Sequence, residues 1–147
     1  RAGWHMAMDI SAYSIVAIAR RAAAIMPNGG SIVALTYFGG EKVIPGYNLM
    51  GVCKAALEHS VRYLAFDLGR KKVRVNALSA GPMRTLASAG IPNIDEMHDY
   101  QAQKSPLGRK VEFEELGKAG LYLLSDMSSA VTGETHHVDC GYNVMGI

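Results

Sequence analysis

The sequence predicts an α/β chain built on a narrow parallel sheet, the second half of a doubly wound domain. Three observations predict it. Helix-like and strand-like segments alternate from one end of the 147 residues to the other. The strand-like segments are short, apolar and β-branched, as strands of a buried parallel sheet are. Only three such strands can be found, and a sheet that narrow leaves an edge of unpaired backbone groups, so a first half with further strands is expected elsewhere. The start at Arg1, without Met and inside an element, supports the same expectation of a fragment.

The first helix is expected over Asp9 to Met26. Ile10, Tyr13, Ile15, Val16, Ile18, Ala19, Ala22, Ala23 and Ile25 cover more than one stripe, and Pro27-Asn28-Gly29-Gly30 ends it. Ser31 to Tyr37 (SIVALTY) reads as a strand buried on both faces, and Phe38 to Gly46 as a loop. A long helix follows over Asn48 to Leu68, stopped near Gly69, with Leu49, Met50, Cys53, Leu57, Val61, Leu64 and Leu68 again exceeding one face. Val73 to Ser79 is the second strand, broken by Ala80-Gly81-Pro82. Leu86 to Gln103 reads as an irregular segment with short helices. Phe113 to Ser125 is the third main helix, with Glu114 and Glu115 suited to the dipole of its first turn. Thr135 to Asp139 is the third strand. Helices 9–26 and 48–68, apolar on two faces, need a second partner besides the sheet, and another copy of the chain is the economical one.

Composition narrows the function. Lys and Arg number 15 against 13 Asp and Glu, a formal charge of +2, so no concentrated basic footprint suggests nucleic acid. The longest apolar stretches are interrupted, as by Arg20 and Arg21, and none could span a bilayer. Cys53 and Cys140 form no CxxC pair and read as free thiols of a reducing cytoplasm.

Four groups of residues could carry chemistry. Tyr47 precedes or opens the long helix and Lys54 lies seven residues, about two turns, on, roughly 10 Å of rise and on nearly the same face. The ammonium could hold ribose hydroxyls and favour the tyrosinate, while the phenol could donate to an oxygen gaining negative charge. Alone, such a pair more often means an interfacial ring and a solvated cation. Tyr37 stands at the carboxyl end of the first strand, where open α/β sheets bind ligands, although a lone aromatic there is more often a lid over the core. Ser79-Ala80-Gly81-Pro82-Met83-Arg84-Thr85 ends the second strand, with the Met83 amide and Thr85 hydroxyl free to meet a carboxamide or phosphate. His136-His137-Val138-Asp139-Cys140 has metal-ligand residue types, but strand alternation splits them between two faces, so no metal is expected.

Together, Tyr37, nine residues, Tyr47, six residues and Lys54, with SAGPMRT downstream and VTGETHHVDCGYNVMGI at the end, resemble the bacterial NADH-dependent enoyl-[acyl-carrier-protein] reductases. These are a divergent branch of the short-chain dehydrogenase/reductase superfamily, whose usual spacing is Tyr-x-x-x-Lys. The resemblance runs over essentially the whole chain. It implies the C-terminal part of one Rossmann-type domain over residues 1–147, with a substrate-binding loop at about 84–103. It implies reduction of the trans-2 double bond of an enoyl thioester on acyl carrier protein, with NADH, in fatty-acid elongation. Tyr37, Tyr47 and Lys54 would be catalytic. Lys54, Ala80, Gly81, Pro82, Met83 and Thr85 would hold the cofactor. Tyr37, Tyr47, Met50, Ala87, Ser88, Ile91, Ile94 and Met97 would meet the substrate. A cytoplasmic homotetramer is implied, and Cys140 stands where the family commonly carries Gly. The alternatives are a ketoacyl-type reductase, disfavoured by Gly51 four positions after Tyr47, and an inert fragment or oligomerisation module if these residues are the whole molecule. The glycine-rich pyrophosphate turn is not among them, and these residues alone are expected to lack activity.

Overall fold

The computed structural model describes residues 1–86, 88 and 94–146. Its first element is a helical rod in three stretches: α1 (Ala2–Met8), a π-helical turn (Asp9–Tyr13) and α2 (Ser14–Ala24). The rod begins upstream of the expected start at Asp9. No residue of α1 is buried, so no apolar periodicity marks it in the sequence.

Three parallel strands follow the expected segments: β1 (Gly30–Thr36), β2 (Val73–Ala80) and β3 (Thr135–Val138), in the order β1-β2-β3. Register runs from Gly30 opposite Val73 to Thr36 opposite Ser79, and from Ala77 opposite Thr135 to Ala80 opposite Val138. The crossover from β1 to β2 contains α3 (Leu49–Gly69). The crossover from β2 to β3 contains α4 (Ile94–Lys104) and α5 (Phe113–Leu124).

The core lies between α2, α3 and one face of the sheet. Ile15 and Ala19 of α2 and Leu57 and Val61 of α3 close over Ile32, Ala34, Val75 and Ala77. Each large apolar side chain buried there contributes about 1.5–3 kcal/mol. The central strand β2 is buried on both faces. On β1, by contrast, Ile32, Ala34 and Thr36 are buried while Leu35 faces solvent, which corrects the expectation of a strand buried on both sides. Among the described residues β1 lies at one edge of the sheet, and α5 packs against it.

The C-terminal end of that helix is tied to the sheet by Ser31 of β1, whose Oγ donates to the Leu123 carbonyl at 2.7 Å, and by Arg74 of β2. The Arg74 guanidinium donates to the Leu123 and Ser125 carbonyls, at 3.0 and 2.9 Å, and to Ser128 Oγ at 2.7 Å. A cation thus occupies the negative end of the α5 dipole and satisfies carbonyls left open there. At its other end α5 carries a capping box, with the Glu112 side chain bonded to the third helical amide and the Glu115 side chain bonded back to the Glu112 amide.

The segment after Leu86 yields, among the described residues, one regular helix, α4, where short irregular ones were expected. Asp95 and Glu96 in its first turn and Lys104 in its last suit the helix dipole. Beyond β3, Cys140 adopts φ +57°, the left-handed region that Gly occupies at least strain.

Candidate active site

The side chains of interest gather at the carboxyl end of β1. The chain leaves that strand at Tyr37 with extended backbone, makes one 3₁₀ turn over Phe38–Gly40, and reaches Tyr47 through a loop in which Gly46 has φ +81°. Tyr47 stands before α3 rather than in it, and Asn48 between them takes φ +45° and ψ −123°, a costly conformation for a residue with a side chain. Helical geometry therefore does not relate Tyr47 to Lys54, contrary to the two-turn reading. Close packing of glycines against the Tyr47 ring brings it to the site instead. A Cβ on Gly39 would collide with the ring, and one on Gly51 would lie 2.7 Å from the Gly39 carbonyl oxygen.

The Tyr47 ring meets Tyr37 edge to face, with centroids 5.0 Å apart and planes at 74°. Lys54 Nζ donates to the Leu35 carbonyl at 2.9 Å. One of its three N–H groups is thus engaged on the strand end, and two are left for other acceptors. Glu58, one turn further along α3, is only 4% exposed and accepts from Thr36 Oγ1 at 2.6 Å.

Burial sets the electrostatics. It pushes the Tyr47 phenol up to about 12, with Tyr37, Cys53 and Glu58 adding to the rise. Lys54 is lowered by burial, against an opposing pull from Glu58. The groups acting on the phenol raise it, and Lys54, expected to favour the tyrosinate, is not among them. Tyr47 is a protonated phenol at neutral pH, and its chemistry is that of a hydrogen-bond donor.

The end of β2 forms a second group. The Gly81 amide donates to the Val138 carbonyl at 2.8 Å, and a Cβ on Gly81 would lie 2.9 Å from Val111 Cγ2 and 3.1 Å from Asp139 Cα. Gly81 thus serves the join between β2 and β3, and Ala80 before it is half-buried. Pro82 and Met83 are half-buried, and Thr85 is exposed. The Thr85 hydroxyl, read as free, accepts from the Ser88 amide at 3.2 Å. The Thr85 amide donates to Ser88 Oγ at 2.8 Å, and Ser88 Oγ donates to the Met83 carbonyl at 2.9 Å. Ser88 therefore closes a local turn that presents Met83 and Thr85.

Met97 lies half-buried on α4. Ala87 and Ile91 lie outside the described residues, and Ile94 is described only as the first residue of α4. The Met50 sulfur accepts from Ser11 Oγ of the N-terminal rod at 3.9 Å. His137 pairs with Glu41 at 2.8 Å, and the Asp139 carboxylate accepts from the amides of Gly141 and Asn143. Among the described residues, no cluster of side chains could hold a metal ion.

Two side chains not anticipated from the sequence complete the site. Glu58 is one; its only signal was the one-turn spacing from Lys54. Gln101 of α4 is the other. It is buried, and its Nε2 donates to the Tyr37 hydroxyl at 2.9 Å.

Known proteins match this chain in sequence and fold. A family described as "Enoyl-(Acyl carrier protein) reductase" matches residues 1–143. A curated relative from Rhizobium meliloti, "Enoyl-[acyl-carrier-protein] reductase [NADH] 1", is 58% identical over 95% of this chain and 52% of its own length. One from Rickettsia conorii, "Enoyl-[acyl-carrier-protein] reductase [NADH] FabI", is 54% identical over 97% of this chain and 55% of its own. The chain therefore spans about half the length of the curated relatives it matches. Among solved structures, the Anaplasma phagocytophilum reductase in complex with NAD superposes with a TM-score of 0.93 at 55% identity, covering 98% of this chain and 55% of that one. The Bacillus cereus reductase, solved with NADP+ and an indole naphthyridinone, gives 0.98 at 48% identity, covering 100% and 57%.

Proposed function

The chain belongs to the enoyl-(acyl carrier protein) reductase family, and from that premise we propose that it forms the substrate- and nicotinamide-facing part of a reductase acting on enoyl thioesters of acyl carrier protein in fatty-acid elongation. NADH is the proposed cofactor, after the names of the curated relatives. The observation that carries the reading is the protonated Tyr47 phenol set against Tyr37, with Lys54 held to the same strand end.

The donor set suits such a cofactor. The two N–H groups that Lys54 keeps after bonding Leu35 can meet two neighbouring ribose hydroxyls. Pro82, Met83 and Thr85 would lie toward the nicotinamide and pyrophosphate, with Ala80 and Gly81 shaping the turn behind them. When bound, the nicotinamide supplies hydride. Reduction at the β-carbon of an enoyl thioester drives negative charge onto the carbonyl oxygen, and Tyr47 donates its hydrogen bond to that oxygen as the charge develops. A phenol kept un-ionised by burial always has that proton to give. Tyr37 lines the acyl side and orients the thioester, with Met50, Ser88 and Met97, and with Ala87, Ile91 and Ile94 by resemblance alone. The apolar faces of α2 and α3 are proposed to meet other copies of the chain in a homotetramer. The two free cysteines agree with a cytoplasmic setting, and among the described residues no helix is long and apolar enough to cross a membrane.

A ketoacyl-type reductase would place its lysine four residues after the tyrosine. That position is Gly51, where a Cβ would press on the Gly39 carbonyl, so the backbone here accommodates no lysine.

The test is turnover of NADH with a crotonyl thioester by the full-length protein. Tyr47→Phe is expected to lower kcat by about 10²–10³-fold, the effect of losing one donor to an oxyanion, and Lys54→Ala to raise the KM for NADH. Unchanged kcat in Tyr47→Phe, or preferential reduction of acetoacetyl thioesters by the wild type, would overturn the reading.

A further inference from the structure

We propose that Gln101 is a positioning residue for Tyr37, fixing which way that hydroxyl offers its proton; the proposal rests on the reading of Tyr37 given above. Gln101 lies on α4, far in sequence from Tyr37, yet its side chain is 4% exposed and its Nε2 donates to the Tyr37 oxygen at 2.9 Å. A phenol has one proton to donate and lone pairs to accept with. With the amide N–H on a lone pair, the proton of Tyr37 is left for a different acceptor. In the site as read above, that acceptor is on the thioester side. An amide carbonyl in the same place would do the opposite and hold the proton back.

The other end of the amide explains why this orientation persists. Among the described residues, Gln101 Oε1 and His98 Nε2 are both buried without a partner. Both residues line one cavity of about 10 Å³, closed by Pro82, Asp139 and Tyr142. That volume suits a single water. A water filling it would find the Gln101 carbonyl to donate to, with the amide N–H groups still turned to Tyr37. Gln101 therefore joins α4 to the aromatic pair at the end of β1, and Tyr37 in turn touches Tyr47. The orientation of the phenols depends on an element that the Tyr-x6-Lys pattern does not include.

Two substitutions and one spectroscopic readout test this. Gln101→Leu removes the donor. Gln101→Glu keeps the shape but reverses the polarity, so that the side chain accepts from Tyr37. In the full-length protein both are expected to lower kcat/KM for a crotonyl thioester by about tenfold, with the KM for NADH unchanged. In a Tyr37→Phe background either change is expected to have no further effect, because the residue acts through that hydroxyl. With ring-labelled tyrosine, the Tyr37 Cζ resonance, assigned from Tyr37→Phe, is expected to titrate at higher pH in Gln101→Leu than in the wild type. A Glu variant with wild-type kcat/KM, an equal loss in the Tyr37→Phe background, or an unmoved Tyr37 titration would each overturn the proposal. The titration needs neither NADH nor thioester. A shifted resonance in a protein without enoyl reduction would therefore sink the functional reading and spare this one.

Discussion

Glu58 is a carboxyl group on the buried side of α3, and its environment makes a signed prediction. Burial pushes its carboxyl up, while the hydrogen bond from Thr36 pulls the other way and does not cancel the rise. For an acid whose folded value exceeds its unfolded one, the contribution to stability is fully present below the unfolded value, about pH 4.3, and is lost as pH rises through the folded value. Gln at this position still accepts from Thr36 and never ionises. Urea unfolding is therefore expected to show Glu58→Gln gaining on the wild type as pH rises from about 4.3 to neutrality, and a difference independent of pH would refute the assignment. Tyr47, Lys54 and Tyr37 were legible as sequence because their spacing is distinctive. Glu58 and Gln101 were not, since a lone Glu or Gln on a helix is nearly always solvated, and only the fold turns these two inward. The extent to which burial raises the Tyr47 phenol was not legible for a related reason: a pattern of residues names neighbours but does not measure how much water they lose.

Each strand and main helix was legible to within a few residues, and the misses have physical causes. α1 carries no buried residue and α4 has a thin apolar stripe, so neither shows the period that marks a packed helix. The apolar run of β1 suggested burial on both faces, but an edge strand is covered only where an element reaches it. Arg74 belongs to this scale because it joins two elements. Arg74→Ala is expected to lower the unfolding free energy by about 2–3 kcal/mol, leaving helix-end carbonyls without a charged donor. Arg74→Lys should recover only part of it, since an ammonium cannot span those carbonyls as the guanidinium fork does. Urea denaturation measures both, and a fully restored Lys variant would show that charge alone matters.

For the molecule as a whole, the surface of the N-terminal rod and α3 is the main open question. Phe66 is 81% and Tyr63 65% exposed on α3, and Ile10, Tyr13 and Ile18 stand out from the rod. Single exposed apolar side chains are ordinary, but several on two packed helices suit the contact between copies proposed above. Phe66→Glu, a change that touches no core residue, is expected to lower the assembly mass measured by light scattering while leaving the fold intact by circular dichroism. An unchanged mass would remove α3 from the interface.

The parallel order β1-β2-β3 also has a consequence in time. β2 can pair with β1 as soon as both have left the ribosome, but β3, its neighbour on the other edge, is made long afterwards. At translation rates of about 5–20 residues per second, the central strand waits seconds with one side open. During that interval Leu78, which ends 2% exposed, has neither β3 beside it nor α5 nearby. Until β3 is made, that edge of β2 is open to mispairing.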